Sequence, residues 1–355
     1  MRSGNGTSLL RNNAEQKNAP ELPIGRFLKS KSLGGNRVIL AVRQIVDVKE
    51  HVPEAFIKPS PNHWKPDDFD FSSISVDESL LHITKTICLL ESRCDDYAEY
   101  LLAIFRDRDE NWTSAIRRWN AEECQHGVTL RKLCESRDKE FNFGDSMSEY
   151  ESLVSYHAPT GESVRGSVAA ELVSRCVVEA LASTLYRVLA DTATDSNVSA
   201  AYSALAQDEA RHYGMFLKML NAEAIGDPRI GFLARCSFAL KRMLELEDAQ
   251  IMIASCVVAG RANGRIKQRR ESNWYLAKLY RLYRWNHLRY AVRMLLRVVG
   301  LRATDLIAWP ATMLFWLAVK LRLMLASIAN RVAPAETKKH PTNNAVNRSG
   351  EVDRI

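Results

Sequence analysis

Glu122-Glu123-Cys124-Gln125-His126-Gly127 and Asp208-Glu209-Ala210-Arg211-His212-Tyr213-Gly214 are near copies of one another within a sequence of 355 residues. Each is an acid followed by Glu-x-x-His. Residues three apart share a helix face, so Glu123 and His126 are expected to point at one centre, as are Glu209 and His212. A single pair of this kind is weak evidence. Two pairs, each inside a long helix-compatible segment, fit a carboxylate-bridged dinuclear metal centre, in which two helices each give Glu-x-x-His and two others each give one Glu. That scheme demands two more glutamates at set heights.

The segment from 77 to about 105 carries Leu80, Ile83, Ile87, Leu90, Cys94, Tyr97 and Leu101 at helical spacing, with Glu91 beside that stripe. The polar run Arg106-Asp107-Arg108-Asp109-Glu110-Asn111 ends it, and a second helix, from 113 to about 135, holds Glu123 and His126. Residues equally far from the turn of an antiparallel hairpin share a height. Residue 107, midway between 91 and 123, falls in the polar run. A third helix, from 166 to about 189, sets Glu179 in the apolar stretch Cys176-Val177-Val178-Glu179-Ala180-Leu181-Ala182. Burying an unpaired carboxylate costs several kcal/mol, so such a residue is expected to be paired or to bind a metal. Residue 194, midway between 179 and 209, lies in Asp191-Thr192-Ala193-Thr194-Asp195-Ser196-Asn197, a turn by composition. The expected ligand set is therefore Glu91, Glu123, His126, Glu179, Glu209 and His212. Asp95, one turn beyond Glu91, competes for the first position. Carboxylate and imidazole donors suit iron or manganese, and the lack of thiolate argues against zinc or iron–sulfur.

With 46% hydrophobic residues the chain can bury a large core, as one domain or one domain with an appendage. Cys88, Cys94, Cys124, Cys134, Cys176, Cys236 and Cys256 are scattered, odd in number and free of Cys-x-x-Cys pairs. Buried free thiols in a reducing compartment are expected of them, rather than disulfides. The formal charge of +7 points to an acidic partner: a carrier protein, an anionic membrane or nucleic acid. Residues 1–35 read as a disordered tail without the apolar stretch of a secretory signal. A cytoplasmic location is expected, peripheral to a membrane's inner face if the C-terminal region binds lipid. The tail's basic, acid-poor character keeps organellar import open as the alternative. Residues 36–76 are expected to hold a short amphipathic helix near 38–48 and a proline-rich loop, residues 77–225 the metal-binding bundle, 226–331 further helices, and 332–355 a second disordered tail.

Three motifs in this order resemble the soluble acyl-acyl carrier protein desaturases of the ferritin-like superfamily. Trp119-Asn120-Ala121-Glu122-Glu123-Cys124-Gln125-His126-Gly127 is similar to that family's Trp-x-Ala-Glu-Glu-x-x-His-Gly, and Asp208-Glu209-Ala210-Arg211-His212 to its Asp-Glu-x-Arg-His. Lys58-Pro59, followed by Trp64-Lys65-Pro66-Asp67-Asp68-Phe69, looks like the loop before its bundle. The match covers roughly residues 50 to 220. It implies an all-α, ferritin-like four-helix bundle with two irons per chain, to which the separately read C-terminal region is expected to add further helices. The activity it implies is an oxygen-dependent desaturation of a saturated acyl chain. Its partners would be an acidic acyl carrier protein or another acyl carrier and a ferredoxin-type electron donor, with a homodimer left open. By the same resemblance Trp64, Asp208 and His126 would form the hydrogen-bonded electron route to iron. The chain departs from the family at Ala182, where a threonine is usual three residues after the third-helix Glu. Ser183 offers a substitute hydroxyl. That departure keeps a hydroxylase or N-oxygenase in play, and a non-catalytic iron-binding or membrane-associated scaffold stands as the reading from another class.

Beyond residue 220 the resemblance ends. Residues 232–258 are expected to form a helix or helix pair. From Arg261 to Arg302 twelve cations, interleaved with Trp274, Tyr275, Tyr280, Tyr283, Trp285 and Tyr290, precede the apolar run from Leu306 to Val319. No nucleic-acid recognition signature accompanies them. The run is short and followed by Lys320 and Arg322, so it reads as an interfacial helix, or one packed on the bundle, rather than a membrane span.

Overall fold

The computed structural model describes residues 56, 63–154, 160–226, 230–245, 249–260 and 265–332. The expected tails, the helix near 38–48 and the Lys58-Pro59 part of the loop lie outside them. Among the described residues the chain is all-helical, with eleven α-helices: α1 Glu78–Glu91, α2 Cys94–Ile104, α3 Glu110–Arg137, α4 Phe143–Leu153, α5 Val168–Thr192, α6 Ser196–Gly226, α7 Phe232–Leu244, α8 Ala249–Val258, α9 Arg265–Leu282, α10 Trp285–Val298 and α11 Asp305–Val332. Five helix starts carry side-chain caps that satisfy otherwise orphaned backbone N–H groups. Asp77 accepts from Ser79 N, Asp109 from Asn111 N, Asn142 from Asp145 N, Ser167 from Ala170 N and Asp195 from Asn197 N.

Two antiparallel hairpins position the site. In the first, Glu78 meets Arg137 at 3.1 Å and Asp95 accepts from Asn120 at 2.8 Å. Both pairs are centred between residues 107 and 108, so the turn sits where the glutamate arithmetic put it. In the second, Ser183 Oγ donates to the Ala206 carbonyl and Ser199 Oγ to the Ala190 carbonyl. Those pairs are centred on the turn between α5 and α6. The hairpins join through α3 and α6, which also run antiparallel: Glu122 faces His212 while, one turn on, His126 faces Asp208. Buried apolar side chains fill both ends of this assembly, with Leu101, Ile116, Leu172 and Phe216 in one cluster and Ile83, Leu133, Tyr186 and Leu205 in the other.

The expected continuous first helix is broken. α1 ends at Glu91 and α2 starts at Cys94, with Arg93 at φ −105°, ψ 25°. Two local causes converge here. Ser92 Oγ donates to the Cys88 carbonyl at 2.7 Å, and the backbone of Ser92 lies so close to Gly127 that a Cβ there would be 3.3 Å from Ser92 Cα. A glycine on α3 thus lets the kinked chain approach, just where the first helix must present Glu91.

A second correction concerns the cysteines. Cys94 and Cys124 form a disulfide that joins α2 to α3, and Cys88, Cys134, Cys176, Cys236 and Cys256 are not disulfide-bonded. The two bridged residues lie at nearly matching heights of the first hairpin, which brings their Cα atoms to 5.6 Å.

The 232–258 region is a helix pair, α7 and α8. α10 packs across the second hairpin, where Tyr213 of α6 donates to the Met294 carbonyl and the Arg187 guanidinium lies over the Tyr290 ring. α11 rests on α9 and α10. It is longer than the apolar run alone foretold: Asp305–Leu325 is long and apolar enough to cross a bilayer by length and composition, and only 17% of its most apolar window is buried.

Candidate metal centre

All six residues singled out from spacing converge. Glu91, Glu123, His126 and Glu209 bring one donor atom each to within 4.8 Å of one another, and so do Glu123, Glu179, Glu209 and His212. The two groups share Glu123 and Glu209. Two overlapping four-donor clusters with a common pair of carboxylates could hold two metal ions side by side. Asp95, the competitor, points elsewhere: it is exposed and accepts from Asn120.

Each imidazole is oriented from outside. The Nε2 of His212 lies 2.8 Å from Glu122 Oε2, and the Nε2 of His126 lies 3.4 Å from Asp208 Oδ2. An ionised carboxylate only accepts, so Nε2 must donate in both contacts and Nδ1 faces the cluster. The pattern is crossed: the acid preceding each Glu-x-x-His serves the histidine of the other helix. Arg211 ties the two acids together, through Glu122 at 3.1 Å and through Asp208. Burial alone would raise the pKa of both acids. The His212 hydrogen bond and the charges of His212 and Arg211 instead hold Glu122 low, and hydrogen bonds from His126 and Arg211 do the same for Asp208.

No protein-family model and no curated protein matches the chain. The chemistry of the site therefore has to be judged on its own atoms.

Four of those atoms decide whether the residues fit metal ions. His126 Nδ1, His212 Nδ1, Glu123 Oε1 and Glu209 Oε2 are buried and make no hydrogen bond. His212 Nδ1 is 2.8 Å from Glu123 Oε1 and His126 Nδ1 is 3.2 Å from Glu209 Oε1, without the alignment a hydrogen bond requires. Leaving such groups unsatisfied costs about 1–3 kcal/mol each, and more when charged. Cations at the two shared positions would satisfy all four at once. The protonation pattern agrees. Burial pushes Glu91 well above the usual carboxylate range, and the charges of Glu123 and Glu209 add to it. Glu179 is pushed up in the same way by burial, Glu209 and Glu123. Burial would likewise raise Glu123 and Glu209. The imidazoles of His212 and His126, lying against it, hold Glu123 well below its usual range, and the same imidazoles hold Glu209 low. Burial would strip protons from the imidazoles, but Asp208, Glu123 and Glu209 hold His126 well above the usual histidine range, and Glu123, Glu122 and Glu209 do so for His212. Protons thus supply the positive charge that the carboxylates demand.

The other expected residues fall as follows. Trp64 Nε1 donates to Asp208 Oδ2 at 2.9 Å, and its ring lies parallel to His126, with centroids 6.0 Å apart. Its loop is held on α3 by Gln125, which donates to the Trp64 carbonyl, and by Lys132, which reaches Asp67. Trp64, Asp208 and His126 are therefore one continuous set of contacts from the loop to the cluster. Ser183 Oγ donates to the Ala206 carbonyl at 2.8 Å and meets Tyr290 OH at 3.1 Å, so its proton is committed to the contact between α5 and α6. Tyr186 was not anticipated: its OH donates to Glu91 Oε1 at 2.6 Å. Its signal was available, since Tyr186 follows Glu179 by seven residues and so shares its helix face.

Proposed function

We propose that the chain is an oxygen-dependent di-iron oxidoreductase of the ferritin-like kind, acting as a desaturase on a saturated acyl chain borne by a carrier. The observation that supports it most is the pair of four-donor clusters sharing Glu123 and Glu209, with both histidine Nδ1 atoms turned inward and unpartnered. Glu91, Glu123, His126 and Glu209 would hold one ion, and Glu123, Glu179, Glu209 and His212 the other. When bound, two irons would supply the redox chemistry with dioxygen that removal of hydrogen from an unactivated carbon requires.

The chain's own groups set the conditions. Glu122 and Asp208 fix the rotation and tautomer of the imidazoles, and Tyr186 fixes Glu91. Packed apolar residues at both ends keep water out. Trp64, nearly buried, links the loop to His126 through Asp208 and is the proposed entry for electrons from a ferredoxin-type donor. A cavity of about 320 Å³ has an apolar floor at Leu80 and Ile83, on the helix that carries Glu91, and Lys278 and Arg281 in its wall. Ile83 lies roughly 12 Å along the helix axis from Glu91.

One observation favours a second reading. Ala182 offers no hydroxyl and the Ser183 proton is already committed, so the same centre could hydroxylate its substrate instead. The deciding experiment supplies iron-loaded protein with a reductant, oxygen and saturated acyl groups on carrier protein, and reads the products by mass spectrometry. Loss of two hydrogens is expected; gain of one oxygen supports the hydroxylase. A protein purified after growth in iron that carries no metal would sink both.

A further inference from the structure

α11 presents its apolar surface away from the protein. Ala308, Thr312 and Val319 are buried, on one side of the helix. Leu306, Leu314, Leu317, Leu321, Leu325 and Ile328 are 49–87% exposed. At 3.6 residues per turn those six lie within an arc of roughly 100°, centred almost opposite the buried residues. Lys320 lies at one margin of the arc and Arg322 at the other. Asp305 is the only acid in the helix, and it is taken up by Arg289 and Arg293. At the N-terminal end Trp309, 55% exposed, stands against Trp285 with centroids 6.3 Å apart. At mid-length the Lys320 ammonium lies over the Trp316 ring.

We propose that α11 is the membrane-docking element of this protein, lying side-on in the interface of an anionic lipid leaflet. A monomer rarely exposes so continuous an apolar strip without covering it. Three features select lipid as the cover. The strip runs from Leu306 to Ile328 without a charged residue inside it, so it matches a hydrocarbon surface better than a protein with its own polar groups. Cations border both margins, where they reach headgroup phosphates while their stems stay in the apolar layer. A second copy of the chain, docked by the same face, would bring Lys320 and Arg322 against like charges. The helix has the length to span a bilayer, but its Ala308, Thr312 and Val319 side is held by the protein, so it enters as an in-plane helix. Tryptophans near the strip suit the interfacial depth.

Vesicle flotation of the full chain tests this. The protein is expected to float with vesicles of phosphatidylcholine mixed with phosphatidylglycerol, and to retain part of that binding in high salt, because insertion of apolar side chains is not screened. Leu314→Glu, Leu317→Glu and Leu321→Glu together are expected to weaken partitioning by about 100-fold or more, and Leu314→Glu alone by about tenfold. Lys320→Gln with Arg322→Gln should cost roughly fivefold per residue on the anionic vesicles and much less on pure phosphatidylcholine. Leu314, Leu317, Leu321 and Lys320 are exposed, so helix content and metal content of the leucine variants should match the wild type, which separates this test from that of the metal centre. Three outcomes would overturn the proposal. One is no flotation at low salt. Another is flotation that salt abolishes and the leucine variants leave intact, which assigns the contact to the basic helices alone. The third is a lipid-free dimer that the leucine variants convert to monomer, which assigns the strip to a second copy.

Discussion

At the scale of single residues, the crossed carboxylates are the most testable feature. Glu122→Gln and Asp208→Asn keep the shape of each side chain but remove the charge that fixes the opposite imidazole. Each is expected to lower metal affinity about 10- to 100-fold, whereas His126→Ala or His212→Ala should remove a ligand and empty the site. Metal content after dialysis against a graded chelator reads the difference. Proton inventory gives a second expectation. In the metal-free protein His126 and His212 retain protons to well above the usual histidine range, and Glu91 and Glu179 are neutral acids to well above theirs. Metal uptake must expel those protons, so affinity should rise with pH and fall as the medium is acidified. Calorimetric titration in buffers of different ionisation enthalpy counts the protons; release of none would contradict the assignment. The clustering of all six residues was legible in the sequence because Glu-x-x-His and the hairpin midpoints depend only on helical period and turn position. The partner of each outer acid was not visible, since it depends on how α3 faces α6 across the hairpins.

At the scale of helices, Ser183 illustrates how a side chain's neighbour changes its meaning. Read alone, it replaced a missing threonine; in the fold it bonds α5 to α6. Ser183→Ala is expected to lower stability by about 1 kcal/mol while leaving metal content unchanged, as thermal unfolding and metal analysis would show. A change in turnover without a change in stability would return the hydroxyl to the chemistry. Gly127→Ala sets two effects against each other. Alanine gains about 1 kcal/mol of helix propensity, but its Cβ presses on the backbone of Ser92, which cannot rotate away as a side chain could. A net loss of about 1 kcal/mol is expected, with weaker metal binding because Glu91 is next in the chain. The break after Glu91 could not be read from periodicity, since Leu90, Cys94, Tyr97 and Leu101 keep their helical spacing straight through it. The Ser92 side-chain bond and the close approach of Gly127 accompany it, and the second of these is a tertiary fact.

For the whole molecule, the Cys94–Cys124 bridge closes a loop with a sequence separation of 30 residues and welds the kinked segment to α3. By loop-closure entropy it contributes about 3.5 kcal/mol, so reductant should lower the unfolding temperature, and Cys124→Ser should match that shift. The pairing had a signal in the sequence: residue 109, midway between the two cysteines, falls beside the same turn that pairs Glu91 with Glu123. Scatter and odd number hid it, because cysteine counts carry no information about register. The two hairpins also exchange donors. The first supplies three donors to one of the two four-donor clusters and one to the other, and the second does the reverse, through Glu123 and Glu209. A chain cut between α4 and α5 would therefore yield two pieces, each with an incomplete claim on both positions. Reassociation of such pieces should depend on metal, the ions acting as a solder whose removal lets the halves of the molecule part.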